Sequence, residues 1–149
     1  MKILCVPFSD LSTAQLYRIL QLRSEVFVLE QTCIYQDLDD KDIKAGVHHL
    51  MMIDGIDIVA YARLLPASIS YDTPSIGRIL VAPSKRGTGL GKELIAKSVE
   101  VTQSLWPSTA ITIGAQSHLS KLYRSFGFIE MSEHYLEDDI MHVDMRLDK

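Results

Sequence analysis

The stretch VAPSKRGTGLGKEL, Val81 to Leu94, is where the residue types and spacing of this chain first suggest chemistry. Gly87, Gly89 and Gly91 alternate behind a Lys85-Arg86 pair. An apolar strand that runs into glycines and then opens a helix is a ready anion site. The first helical turn leaves N–H groups without partners, the helix dipole is positive there, and missing side chains let an anion reach the backbone. Lys85, Arg86 and Lys92 could add charge-assisted contacts at the rim. Phosphate or pyrophosphate suits the loop; a plain glycine-rich turn at a helix start is the alternative. Two familiar phosphate motifs fail on spacing. A P-loop would need glycine where Arg86 stands, and Ser or Thr where Glu93 follows Lys92. A dinucleotide fingerprint would need its last glycine at Lys92.

Other reactive residue types form no obvious constellation. Cys5 and Cys33 lack metal-ligand spacing and read as reduced bystanders. His48 and His49 are adjacent on an expected strand, so their rings point to opposite faces and make a poor chelate. No bound metal is expected.

The elements that must position the loop follow from periodicity. ILCVPF reads as a short strand, and Ser12 or Thr13 as a helix N-cap. Leu16, Ile19, Leu20, Arg23, Val26 and Phe27 recur at helical spacing, which predicts a long amphipathic helix to about Glu30. CIYQDLDDKDIKAG reads as an acidic loop carrying Asp37, Asp39, Asp40 and Asp42. Two strands, HHLMMI and IDIVAYARLL, flank an Asp54-Gly55 hairpin signal. SIGRILVA is a further strand, with Gly77 marking a bulge. After the glycine loop, Leu90, Leu94, Ile95, Val99, Thr102 and Leu105 give a helical face closed by Trp106-Pro107. AITIGAQ is a buried strand, and Leu119, Leu122, Tyr123 and Phe126 a short helix ended by Gly127. FIEMSEHYL and MHVDMRL are candidate final strands joined by an acidic EDD turn. This order predicts a mixed α/β domain with several antiparallel strands, a single domain over residues 1–149.

Composition bounds the partners. The 149-residue chain is 47% hydrophobic with net charge −4 and no basic run, which disfavours nucleic acid. Its apolar runs are too short to span a membrane, and MKILCVPFSDLS lacks a signal-peptide core and cleavage site, so a soluble, cytoplasmic protein is expected.

One motif remains. R-x-x-G-x-G, Arg86 to Gly91, directly after VAP, resembles the acyl-CoA-binding motif of the GNAT superfamily of N-acyltransferases. AQSHLSKLYRSFGFIE resembles that family's second motif, with Tyr123 ahead of Gly127-Phe128. LRSEVFVLEQTCIYQDLDDKD and YLEDDIMHVDM are similar to segments of its ElaA-like branch, so the likeness spans nearly the whole chain. Two departures stand out: Gln36-Asp37 where a nearby glutamate is expected, and Met141 where a proline is usual before His142.

The resemblance implies a central, mostly antiparallel sheet flanked by helices, and acetyl transfer from acetyl-CoA to a primary amine of a small molecule or peptide. It implies that the amides of Gly87, Thr88, Gly89, Leu90 and Gly91, with Lys85, Arg86 and Lys92, hold the pyrophosphate. Leu80 and Val81 would pair with the pantetheine arm, aided by Gln116, and the Val81 N–H would polarise the thioester carbonyl. Tyr123 would protonate the departing thiolate; packing beside Leu119, Leu122 and Phe126 is its other reading. An alkylamine with pKa ~10.4 is almost wholly protonated at neutral pH, so a base is needed. His142 and Glu133 are candidates, as are His118, Glu137-Asp138-Asp139, His48 and His49. Asp37 to Asp42 and Glu137 to Asp139 could attract a cationic amine or be solvated loop charge. An acyl-CoA sensor with little catalysis is the alternative function. Apolar residues on the first helix and final strands fit either a homodimer face or a monomer's core.

Overall fold

The computed structural model describes residues 1–149. In chain order the elements are β1 (Lys2–Pro7), α1 (Thr13–Arg23), β2 (His48–Asp54), β3 (Asp57–Leu65), β4 (Ser75–Val81), α2 (Leu90–Leu105), β5 (Ile111–Gln116), α3 (Ser120–Arg124), β6 (Ile129–Glu130), β7 (Tyr135–Glu137) and β8 (Ile140–Leu147). They build one eight-stranded sheet, ordered β1-β2-β3-β4-β5-β8-β6, with β7 also pairing β8. Every pairing is antiparallel except β4 with β5, which α2 crosses over to connect. The fold is the mixed, mostly antiparallel α/β architecture expected.

Strand alternation gives each face of the sheet its own apolar layer. Leu50, Met52, Ala60 and Ala62 pack with Leu90, Leu94 and Ile95 of α2 and with Phe128. Met51, Tyr61 and Leu80 pack on the other face with Ile19 of α1 and Val26. The two adjacent histidines divide accordingly: His48 meets Trp106 edge-on, whereas His49 stacks beside Tyr61. At the start of α1, Ser12 Oγ accepts the Gln15 N–H at 3.0 Å and Gln15 Oε1 accepts the Ser12 N–H at 2.9 Å, a capping box.

Two expectations about elements are revised. The helix that begins at Thr13 keeps α geometry only to Arg23 and then widens into a π-helix over Ser24–Glu30. No glycine or proline marks the change, and the apolar spacing suits either winding. The stretch FIEMSEHYL is two short strands, β6 and β7, separated where Ser132 Oγ accepts the Asp144 N–H from β8.

The acidic loop is corrected more deeply. Most of its carboxylates are neither solvated nor free to attract a substrate, because arginines from three elements converge on them. Arg23, fully buried on α1, donates Nε to Asp37 at 2.9 Å and Nη1 to Asp42 at 2.6 Å. Arg63 of β3 forks onto Asp39 at 2.8 and 2.9 Å and reaches Asp42 at 3.0 Å. Arg78 of β4 donates to the Asp37 carboxylate at 2.8 Å and its carbonyl at 3.0 Å. Only Asp40 is exposed. Beside them His49 Nε2–H donates to the Asp42 carbonyl at 3.0 Å, and its Nδ1 accepts the Tyr61 hydroxyl at 2.6 Å.

This cluster makes stability depend on acid. Burial opposes ionisation of Asp39, but the Arg63 fork outweighs it and holds the pKa down to about 2. Arg23 and Arg63 likewise override burial at Asp42 and keep it below the usual range. Burial also depresses His49, which stays neutral. For all three the unfolded chain takes up protons first, so their contribution is complete at neutral pH and falls as pH falls. The His49 share begins to fade below ~6.5 and the carboxylate share below ~4. We expect urea midpoints, followed by circular dichroism from neutral pH downward, to decline gently through the first range and steeply through the second. A midpoint that stayed level to pH ~3, below the unfolded carboxylate value, would contradict this assignment.

Candidate active site

The sheet opens where β4 and β5 part. The two strands touch only at Ser75 opposite Thr112 and diverge toward their C-terminal ends. Divergence leaves one edge of each strand without its neighbour, so N–H and C=O groups there face the gap. A bulge sharpens it: Tyr61 pairs with Leu80 but Arg63 with Gly77, so β4 carries an extra residue around Arg78, at φ +50°. The irregularity thus falls just after Gly77. The resulting cleft of about 780 Å³ is lined by Gly77 to Val81 on one wall and Ile113 to Gln116 on the other, with Glu30, Tyr71, Arg86, Tyr123, Tyr135 and His142 around it.

The glycine loop stands beside this mouth. Gly87 and Gly89 take φ of +77° and +83°, and α2 begins at Leu90. The first backbone bond of the helix start runs from Glu93 N–H to the Gly89 carbonyl at 3.3 Å. The N–H groups of Gly87, Thr88, Gly89, Leu90, Gly91 and Lys92 have no acceptor within the protein. A run of open amides ahead of a four-turn helix is suited to an anionic group such as a phosphate. A Cβ on Gly91 would make only ordinary contact with Val81 Cγ2, at 3.7 Å, so packing does not demand glycine there. Gly89→Ala has room for its methyl but must hold it at positive φ. We expect it to cost about 1–2 kcal/mol of stability and to weaken coenzyme A binding, read by paired thermal-shift and calorimetric titrations. Unchanged stability and affinity would show that the left-handed turn is not needed.

Two of the three basic rim residues are paired with carboxylates. Arg86 forks onto Glu30 at 2.8 and 2.6 Å, and Lys85 meets Asp54 at 3.0 Å. Lys92 is exposed beside the free amides and makes no ion pair. Glu30 was not anticipated from sequence; its place at the mouth follows from the π-helical turn.

On the opposite wall, Tyr123 is 6% exposed and packs edge-on against Phe128, its ring centroid 6.0 Å away. Its hydroxyl makes no hydrogen bond to the protein, and burial pushes its pKa up to about 12. The packing reading of this residue holds for its ring, which belongs to the core, and the residue also lines the cleft. His142 also lines the cleft. Its Nδ1–H donates to the Ile140 carbonyl at 2.7 Å, leaving Nε2 with a lone pair, 3.8 Å from Glu137. Gln116 Nε2 donates to Gln31 at 3.4 Å at the cleft edge. Leu80 and Val81 line the cleft from β4, and His118 borders it just beyond β5.

Not every candidate arrives. Glu133 is exposed between β6 and β7 and does not border the cleft. His49 is buried in the arginine cluster, and His48 Nδ1 is tied to the Gly46 carbonyl at 2.8 Å away from it. Tyr71, Tyr135 and Asp144 meet in the cleft and were missed. Asp144 alternates with His142 in MHVDMRL, so strand periodicity could have placed it, but nothing local marks Tyr71.

A parted β4–β5 pair with a glycine loop of open amides on the crossover defines a class. The chain matches the family model for the acetyltransferase (GNAT) domain over residues 11–149, and it belongs to that family. It is 42% identical over 137 residues to protein ElaA of Escherichia coli K12, covering 92% of this chain and 90% of that protein. Among solved structures it superposes on an acyl-CoA N-acyltransferase from Pseudomonas aeruginosa with a TM-score of 0.94 and 38% identity, over 99% of both chains. The crystal structure of Escherichia coli ElaA gives 0.93 and 39%, again over 99% of both chains. The resemblance to the ElaA-like branch is thereby upheld, and the protein is a GNAT-family acyltransferase.

Proposed function

We propose that the protein is a cytoplasmic N-acetyltransferase that moves an acetyl group from acetyl-CoA to a primary amine of a small molecule or peptide by direct attack. The observation that carries this reading is the placement of the open amides of Gly87 to Lys92 beside a cleft whose far wall presents the unbonded Tyr123 hydroxyl. The loop amides would take the pyrophosphate, with Arg86 and Lys92 near it. The free edge of β4 at Leu80 and Val81, with Gln116 opposite, would pair with the amides of the pantetheine arm.

The chemistry asks for two proton transfers. The amine nitrogen forms a bond to the carbonyl carbon, the carbon–sulfur bond breaks, and the sulfur leaves with the bonding pair. Tyr123 supplies its proton to that sulfur, since a phenol raised to about 12 is fully protonated at neutral pH. His142 Nε2 is the best placed acceptor for the amine's proton, because its other nitrogen is already committed to Ile140. The Val81 N–H would polarise the carbonyl oxygen.

The test is thiol release from acetyl-CoA in the presence of a panel of primary amines. Release that requires both protein and amine supports the reading. Tight coenzyme A binding with no amine-dependent release would favour a sensor that does not use Tyr123.

A further inference from the structure

Asp144 is a half-buried carboxylate of the cleft whose charge the protein leaves uncompensated. Its Oδ1 accepts hydrogen bonds from Tyr71 at 2.9 Å and from Tyr135 at 2.7 Å. Its Oδ2 receives none, and no Lys, Arg or His nitrogen lies within 4.0 Å of the carboxylate. The neighbours contrast with it: Glu30 is matched by Arg86, and Asp39 by Arg63 and Arg78. Lys41, also on the cleft wall, is held by Ser70 Oγ at 2.7 Å.

The surroundings are shaped for this carboxylate. A Cβ on Gly114 would fall 2.9 Å from the Tyr71 hydroxyl and 3.4 Å from that of Tyr135, so the absence of a side chain there lets both tyrosines converge. Burial raises the pKa of each hydroxyl, and the Asp144 charge raises it further, so both remain donors. Two neutral donors orient the anion and stabilise it without cancelling its charge. A cation approaching Oδ2 would find a held, unpaired carboxylate oxygen open to it.

His142 and Asp144 stand two residues apart on β8, on the same face, at about 7 Å by strand geometry. We propose that Asp144 anchors a second cationic group of the acceptor, and that the acceptor is a short diamine or a molecule carrying two amines at that spacing. One ammonium rests on Asp144 Oδ2 while the other nitrogen, freed of its proton at His142, attacks the thioester. A chain of about four or five methylene groups, with bonds near ~1.5 Å, covers the required span. This inference rests on the amine-acetyltransferase reading above.

The experiment compares cadaverine, a five-carbon diamine, with pentylamine by calorimetric titration into protein saturated with coenzyme A. Wild type should bind cadaverine at least about tenfold more tightly, as one charge-assisted contact allows. Asp144→Asn should abolish that preference while coenzyme A binding persists. Equal affinity for the two amines in wild type, or a preference that survives in Asp144→Asn, overturns the proposal. Should the variant lose coenzyme A binding as well, the wild-type comparison decides alone. Thiol release is followed in parallel. A diamine preference without amine-dependent release would sink the acetyltransferase reading and leave the cation site standing; release without preference would do the reverse.

Discussion

Tyr123→Phe should lower turnover about a hundredfold while leaving coenzyme A affinity unchanged, the range usual for loss of one general acid. The expectation rests on what the hydroxyl does not do. It bonds to nothing in the protein, while the ring packs against Phe128 and the layer that holds Leu119, Leu122 and Phe126. Phenylalanine keeps that packing, so a melting temperature close to wild type is expected. A residue that only filled space would give a silent variant. Steady-state thiol release over a range of pH, with coenzyme A affinity measured separately, distinguishes the cases. Full turnover of Tyr123→Phe at every pH would remove it from the mechanism.

The largest effect on stability should come from Arg23→Ala. Its guanidinium is wholly buried and divided between Asp37 and Asp42, so its loss leaves carboxylates in the interior short of positive charge. Arg78 and Arg63 still reach them, but each is already shared with Asp39. Breaking such a buried pair costs about 3–5 kcal/mol. At roughly 2–4 °C per kcal/mol, the melting temperature should fall by on the order of 10 °C or more. An exposed pair such as Lys97–Glu100 should matter little when cut, at under about 1 kcal/mol. A shift in Arg23→Ala no larger than that of a surface pair would mean the cluster does not hold the loop.

That cluster also shows where sequence reading stops. Arg23 sat in the apolar periodicity of the first helix and so could be placed on its inner face. Its partners were visible only as an acidic run, because ion pairing across 14 to 41 residues has no local period. The same limit separated Tyr71 from Asp144, 73 residues apart along the chain.

The sequence by itself determined the elements and the glycine loop. Apolar spacing of two and of three to four residues is a local property, and so is the need for glycine at the positive φ of Gly87 and Gly89. The Ser12 cap, the hairpin at Gly55 and the strand–loop–helix around Arg86 were legible for that reason. Only the tertiary structure decided how far β4 and β5 part, that Tyr123 reaches the cleft and Glu133 does not, and that Asp144 faces it uncompensated. Those outcomes depend on which strands become neighbours and which charges meet, and contacts between distant segments are settled by packing the whole sheet at once.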